Sequence, residues 1–333
     1  MTTTSRTTVL EVSDLCVTFP GRTVDTRAVD HVSFTMRQGE IVGLVGESAC
    51  GKSTLGLSIL NMVPDPGLIV SGSVLFEDND LAAMSESQLR QVRGNDISLI
   101  VQDALATMNP VTRVQEQVSE IIRDHEGGRA RKLRSRVLDM LSRVHLPNPD
   151  QQLTRYPHQL SGGMQQRVSI AQGLILGPQL IVADEPTTAL DVTVQAQILT
   201  LLRQACEEHG ASILFITHDL ATVAEICERV LVMYAGRIVE SGPVVEVFER
   251  PRHPYTAALL KGLLPLDGSR PDRLEALAGQ PPRPEEWPQG CRFHPRCPLR
   301  ERLGSPAICS EQSPRVDESQ GHWGACHFTD EVA

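Results

Sequence analysis

Residues 40–54 read Glu-Ile-Val-Gly-Leu-Val-Gly-Glu-Ser-Ala-Cys-Gly-Lys-Ser-Thr, an apolar run that ends in Gly46 and opens the pattern G-x-x-x-x-G-K-[ST]. Five apolar residues bounded by glycine predict a buried strand, and the spacing over 53–62 (STLGLSILNM) predicts a helix. A glycine-containing loop between such a strand and helix turns backbone N–H groups inward, where they can surround phosphates. Gly46, Glu47, Ser48, Ala49, Cys50, Gly51, Lys52, Ser53 and Thr54 are therefore the candidate nucleotide-binding residues. Lys52 supplies a point charge to the terminal phosphates, and the Ser53 hydroxyl can reach Mg²⁺. Alone, such a string can arise by chance in any glycine-rich loop; the strand before it and the helix after it favour phosphate binding. Cys50 has two readings here: a small space-filling side chain, or a thiol whose pKa is lowered by the helix N-terminus.

Two further segments carry chemistry. Residues 180–186 (LIVADEP) are an apolar strand ending in two carboxylates. Asp184 is placed to hold Mg²⁺ through water, and Glu185 to act as general base on an attacking water. In isolation they would be two ordinary carboxylates at a strand end; the upstream phosphate loop reverses that weighting. Residues 160–167 (LSGGMQQR) place Ser161, Gly162 and Gly163 at the start of a predicted helix, a donor-rich end suited to an anion. A single chain has no need of two such anion sites, whereas an enzyme that sandwiches a nucleotide between two subunits does.

These segments together resemble the ATP-binding cassette (ABC) family, whose signature is LSGGQ or a close relative, and the resemblance covers residues 8 to about 250. It implies roles for four more positions. Phe19 is similar to the aromatic that stacks on adenine; the residue type alone would equally suit a core position. Gln102 resembles the residue that senses the γ-phosphate, contacts Mg²⁺ and faces the membrane partner. Asp191, in TTALD, resembles the loop that crosses the dimer interface, and His218, in FITHD, the switch histidine on the γ-phosphate. Lys52, Glu185 and His218 are then the catalytic set. A narrower resemblance, carried by QDALATMNP (102–110), RYPHQLSGGMQQR (155–167) and RHPYTAALL (252–260), is to the ATPases of dipeptide, oligopeptide and nickel importers. The phosphate loop of that group reads GESG-x-GKS, so Ala49 is a departure; a positive φ there would cost Ala about 1 kcal/mol.

Composition agrees. The 333 residues are 41% hydrophobic and 22% charged, an ordinary soluble balance with a prior of about two domains. A formal charge of −10 argues against a general nucleic-acid binder. No apolar run approaches a membrane span and the first residues lack a signal-peptide stretch, so the chain is expected on the cytoplasmic face of a membrane, held there peripherally by a partner. Strand-like runs at 8–45, 73–101, 180–185, 212–217 and 229–234 alternate with helical patterns. The expected fold is α/β: a P-loop NTPase of ABC ATPase type with a mostly parallel core sheet, an antiparallel β subdomain, an inserted helical subdomain over about 103–175, and a Cys/Pro-rich C-terminal extension. Ala235-Gly236 predicts a hairpin turn. Domain boundaries are expected at 1–250 for the nucleotide-binding domain and 251–333 for the extension.

Ten of the 22 prolines lie in 265–333, and four of the eight cysteines, Cys291, Cys297, Cys309 and Cys326, fall in the last 45 residues. Four thiolates suffice for one zinc or one [4Fe–4S] cluster. Zinc knuckles use pairs two to four residues apart, and this spacing has none. The importer group is similar here too, with a C-R-F-x-x-R-C-P motif associated with an iron–sulfur cluster. The cluster is preferred over zinc and over free thiols or disulfides; His294, His322 and His327 are nearby substitute ligands.

The reading is an ATP-hydrolysing subunit of a membrane importer of dipeptides, oligopeptides or a similar small solute, using ATP and Mg²⁺. Its expected partners are a second ATPase subunit (a paralogue or itself), two transmembrane permeases and, indirectly, an extracytoplasmic solute-binding protein, with no nucleic acid. The alternatives are nickel as the solute and a non-transport cassette ATPase acting on a soluble complex.

Overall fold

The computed structural model describes residues 7–22, 24–262 and 277–332. The first six residues and the segment 263–276, which includes the start of the proline-rich stretch, lie outside the described residues. The strands are β1 (Thr8–Phe19), β2 (Thr26–Arg37), β3 (Ile41–Val45), β4 (Leu68–Phe76), β5 (Asn79–Asp80), β6 (Ile97–Ile100), β7 (Leu180–Asp184), β8 (Ser212–Ile216), β9 (Arg229–Tyr234), β10 (Arg237–Pro243) and β11 (Trp323–Gly324). The chain forms two compact units that do not follow its linear order. One comprises residues up to 10, 36–41 and 83–215; the other comprises 11–35, 42–82 and 216 onward.

In the second unit a sheet runs in the order β2-β1-β4-β5, with β4 and β5 antiparallel. A separate set of strands has the order β11-β10-β9-β3. β3 pairs with β9 in parallel, Val42 opposite Arg229 through Val45 opposite Val232. All five residues of β3 are buried, as befits a strand covered on both faces. β9 and β10 form the expected hairpin: Ala235 (φ 46°) and Gly236 (φ 81°) both adopt the left-handed conformation that such a turn requires.

In the first unit the order is β8-β7-β6, with β6 and β7 parallel. The helical subdomain expected over about 103–175 consists of short pieces: Ala104–Thr107, Val114–Glu126, Ala130–Arg143, Pro149–Gln152, a single 3₁₀ turn at Pro157–Gln159, and Gly162–Leu174. The breaks have local causes. Gly127 and Gly128 take positive φ, and Pro149 and Pro157 can begin a helical turn but not continue one. Val114, Val118 and Ile122 on one helix and Leu133, Val137 and Leu141 on the next recur every four residues, and all are buried. At about 1.5–3 kcal/mol per buried aliphatic side chain, such stripes outweigh the mediocre helix propensity of their Val and Ile members.

The described part of the C-terminal segment packs more tightly than its proline content suggests. Phe293, Leu299 and Val332 are buried against Tyr234 and Tyr255, with the Phe293 ring 5.3 and 5.5 Å from the two tyrosine rings. β11 extends the sheet by pairing antiparallel with β10, Glu240 opposite Gly324. The fully buried Glu240 carboxylate organises this edge, accepting from the backbone N–H groups of Arg252 and His253 at 2.7 and 2.9 Å and lying 2.8 Å from His322 Nε2.

Candidate active site

The phosphate loop leaves β3 at Val45 and enters the helix Lys52–Ile59. Two glycines are required by close approach. A Cβ at Gly46 would lie 2.2 Å from the Met233 carbonyl oxygen, and one at Gly51 (φ 107°) would lie 2.3 Å from that of Ala28. Gly51 is also the N-cap of the helix and provides no side-chain cap, so the first-turn N–H groups stay available to an anion. Ala49 has φ 64°, the conformation the sequence suggested, and it is exposed. Lys52 is buried; its Nζ donates to the carbonyls of Gly46 and Glu47 at 2.8 and 3.0 Å, curling the loop around its head group. The activated-thiol reading of Cys50 is overturned. Its side chain is buried, and desolvation pushes the thiol up despite Lys52 nearby, leaving it a space-filling residue.

Residues from outside the motif grip the same loop. The Glu47 N–H donates to Tyr255 Oη at 2.7 Å. The Glu47 carboxylate is held by Arg296, Nη1 at 2.7 Å and Nη2 at 3.1 Å. Burial opposes the charge on Arg296, but the Glu47 carboxylate prevails and holds its pKa above the ordinary range. Neither Tyr255 nor Arg296 was singled out by motif. Both sit in stretches noted only for family resemblance, and no spacing rule relates positions more than 200 residues apart. Phe19 is half-buried at the end of β1, with its ring edge against Gly67. His218 is exposed just before Asp219, which caps the helix Leu220–Ile226 through the Ala221 N–H at 2.9 Å.

The first unit carries the remaining candidates. Asp184 ends β7 and Glu185 follows it with φ 47°. Gln102 Nε2 donates to Glu185 Oε2 at 3.0 Å, and Thr188 Oγ1 donates to the same oxygen at 3.1 Å. Ser161 is the exposed N-cap of the helix Gly162–Leu174, its Oγ accepting from Met164 N–H at 3.4 Å. A Cβ on Gly163 would approach the Ala189 carbonyl at 3.4 Å, so the start of this helix lies against the residues that precede Asp191. Asp191 caps the helix Val192–His209 through Val194 N–H at 3.1 Å, and Val192 beside it is 85% exposed. Gln166 Nε2 donates to the Val101 carbonyl at 3.1 Å, fastening this helix to the residue before Gln102.

The four C-terminal cysteines line one apolar pocket with Phe293, Leu299 and Phe328. Backbone N–H groups of Arg300 and Phe328 donate to Cys297 Sγ and Cys326 Sγ, both at 3.4 Å. Arg300 also lines the pocket and has a buried Nε without a partner. Burial pushes Cys291 up to about 11 and Cys326 up to about 12. Of the substitute ligands, His294 and His327 reach this pocket, but His322 does not line it; it is taken by Glu240 at the sheet edge. Among the described residues the one group of three potential ligands with all donor atoms within 4.8 Å is Cys16, Asp30 and His31, so no three of the tail cysteines are that close. A single tetrahedral zinc with bonds of about 2.3 Å would bring its sulfurs to roughly 3.8 Å of one another. The tail sulfurs therefore lie farther apart than one tetrahedral zinc would hold them.

A phosphate loop on one strand, a paired carboxylate on another and a serine-capped glycine helix with its own exposed anion end define an ATP-binding cassette ATPase. Comparison with known proteins agrees. The ABC transporter family model matches residues 29–188, and that of the oligopeptide/dipeptide transporter C-terminal region matches 239–302. A probable peptide ABC transporter ATP-binding protein of Sinorhizobium fredii is 44% identical over 97% of this chain and 96% of its own. The dipeptide transport ATP-binding protein DppD of Escherichia coli is 41% identical over 96% of each chain. Among solved structures, the dimeric bacterial ABC transporter cassette MJ0796 superposes with a TM-score of 0.65 at 27% identity, over 71% of this chain and 98% of that one. The chain belongs to the ABC transporter family and is an ATP-hydrolysing enzyme, with ATP and Mg²⁺ as its nucleotide and metal.

Proposed function

We propose that this ATPase drives the import of peptides, as the energising subunit of a membrane ABC importer. The observation that carries this is the match of residues 239–302 to the oligopeptide/dipeptide transporter C-terminal region, in a chain whose full-length relatives are named as peptide transporters. The same match disfavours nickel as the solute. Two such subunits, identical or paralogous, pair and couple to two permeases and thereby to an external solute-binding protein. The chain then works at the cytoplasmic face of the membrane; no helix among the described residues is long and apolar enough to cross one. The nucleotide-binding domain is assigned to 1–250 and the extension to 251–333.

Residue roles follow from chemistry. The loop Gly46–Thr54 cradles phosphates through backbone N–H groups, and Lys52 offsets their charge. Ser53, Gln102 and Asp184 are assigned to Mg²⁺, which when bound would neutralise charge on the phosphates. Glu185, oriented by Gln102 and Thr188, takes the proton of the attacking water. Ser161, Gly162 and Gly163 offer their helix end to the nucleotide of a partner subunit, Asp191 faces that partner, Phe19 stacks on adenine, and His218 contacts the γ-phosphate. Cys291, Cys297, Cys309 and Cys326 are assigned as ligands of a [4Fe–4S] cluster that would tie the C-terminal segments together.

The deciding experiment is to trap a tagged Glu185→Gln chain with ATP in its native host, solubilise the membranes and identify what co-purifies. Two polytopic permeases, with loss of peptide uptake in the deletion strain, are expected. Recovery of soluble complexes alone would overturn the import reading. For the cluster, anaerobically purified chain should contain about four irons and four sulfides; neither iron nor sulfide in stoichiometric amount would remove it.

A further inference from the structure

Glu47 sets an electrostatic problem. It is the second residue of a loop that must receive a polyphosphate, and its carboxylate is 27% exposed. An unneutralised carboxylate there would repel the ligand through a partly desolvated path, where charge interactions are stronger than in water. The chain answers with one side chain from far away. Arg296 is buried to 7% exposure and uses every guanidinium N–H: Nη1 and Nη2 on the Glu47 carboxylate, Nη1 also on Tyr234 Oη at 3.3 Å, Nη2 also on the Gly279 carbonyl at 3.1 Å, and Nε on the Ala278 carbonyl at 3.0 Å. A guanidinium so saturated has a single orientation, which its fork geometry transmits to the carboxylate. The Tyr255 hydroxyl, itself buried, accepts the Glu47 N–H and so holds the backbone of the same residue. Glu47 is thus pinned at both ends by the C-terminal part of the chain, while its carbonyl still accepts from Lys52.

We propose that Arg296 is a positioning residue for ATP binding. It neutralises Glu47 and turns that carboxylate away from the phosphates, so the C-terminal segment completes the phosphate loop rather than merely decorating the domain. The inference rests on the assignment of residues 46–54 as the phosphate loop, and the test separates the two.

The full-length chain is titrated with a fluorescent ATP analogue and Mg²⁺, alongside steady-state phosphate release. Arg296→Ala is expected to weaken nucleotide affinity at least about tenfold, roughly 1.4 kcal/mol, and to raise KM more than it lowers kcat. Adding Glu47→Gln to Arg296→Ala should recover most of that affinity, because the repelling charge is gone. Simple unfolding of the C-terminal segment could not be repaired that way. Arg296→Lys should fall between, since an ammonium keeps the charge but not the fork. Wild-type affinity in Arg296→Ala would overturn the proposal, as would failure of Glu47→Gln to rescue it in a variant with an unchanged melting temperature. Lys52→Ala provides the control: if it binds nucleotide normally, the phosphate-loop assignment itself fails, whatever Arg296 does.

Discussion

Gln102 and Glu185 share a hydrogen bond, Nε2 to Oε2 at 3.0 Å, although they are separated by 83 positions and stand at the ends of the neighbouring parallel strands β6 and β7. The amide fixes one carboxylate oxygen. A general base needs such orientation as much as it needs a suitable pKa.

Glu185→Gln is isosteric and keeps a polar partner for Gln102, but an amide takes up no proton. ATP affinity should be unchanged and turnover should fall at least about tenfold. Nucleotide titration and phosphate release on the same preparation check this; wild-type turnover would remove Glu185 as the base.

Ala49 lies in the left-handed region at φ 64° and is exposed, so the cost of substitution there is backbone strain rather than packing. Ala49→Val, with its β-branch, should destabilise the fold by about 1–3 kcal/mol and slow ATP binding, whereas Ala49→Gly should be tolerated. Thermal melts with and without nucleotide distinguish the two variants.

Asp30 is fully buried and takes Arg27, Arg237 and Arg292 as partners, with Trp287 stacked 3.6 Å from the Arg292 guanidinium. Burial opposes its charge, but the arginines hold the carboxyl below its ordinary range. A folded-state pKa below the unfolded one stabilises above the unfolded value and is lost as pH falls through the folded one. Acid should therefore begin to destabilise the protein below about pH 4, and Asp30→Asn should flatten that slope. Asp30→Ala, which strands the buried Arg292, should cost about 3–5 kcal/mol. Urea midpoints across acidic pH measure both effects; parallel slopes in wild type and Asp30→Asn would exclude Asp30 as the source.

Burial raises the Cys291 and Cys326 thiols, to about 11 and about 12, so it favours their protonated form. The proposed cluster would bind thiolates and so displace those protons, and its reconstitution should become markedly more complete from about pH 6.5 to about pH 8.5. Absorbance and bound iron report it directly; flat loading over that range would argue against thiolate ligation.

Short-range features of structure were legible in the sequence. Gly46 and Gly51 mark the candidate phosphate loop by motif, while the Met233 and Ala28 carbonyls whose approach requires them lie far off in the chain. β3 and β7 are apolar runs because both faces are covered, and Ser161 and Asp191 cap their helices through bonds three residues away. The helical character of 103–175 was legible in its periodicity, and Gly127, Gly128, Pro149 and Pro157 mark its breaks locally; which apolar stripes pack together was not legible.

What the linear chain determined by itself is the set of short motifs: a loop between a buried strand and a helix, paired carboxylates at a strand end and serine-capped glycines, because strand periodicity and helix capping are short-range. Tertiary structure alone decided the long-range pairings. The bond from Arg296 to Glu47 spans 249 positions, that from Arg292 to Asp30 spans 262, and the convergence of four cysteines has no pairwise spacing signature. Burial also raises the Cys50 thiol, against the lowering that its place beside Gly51 suggests. The physical reason is common to all four: burial and long-range charge pairing are properties of the space a side chain enters, which only the packed chain defines.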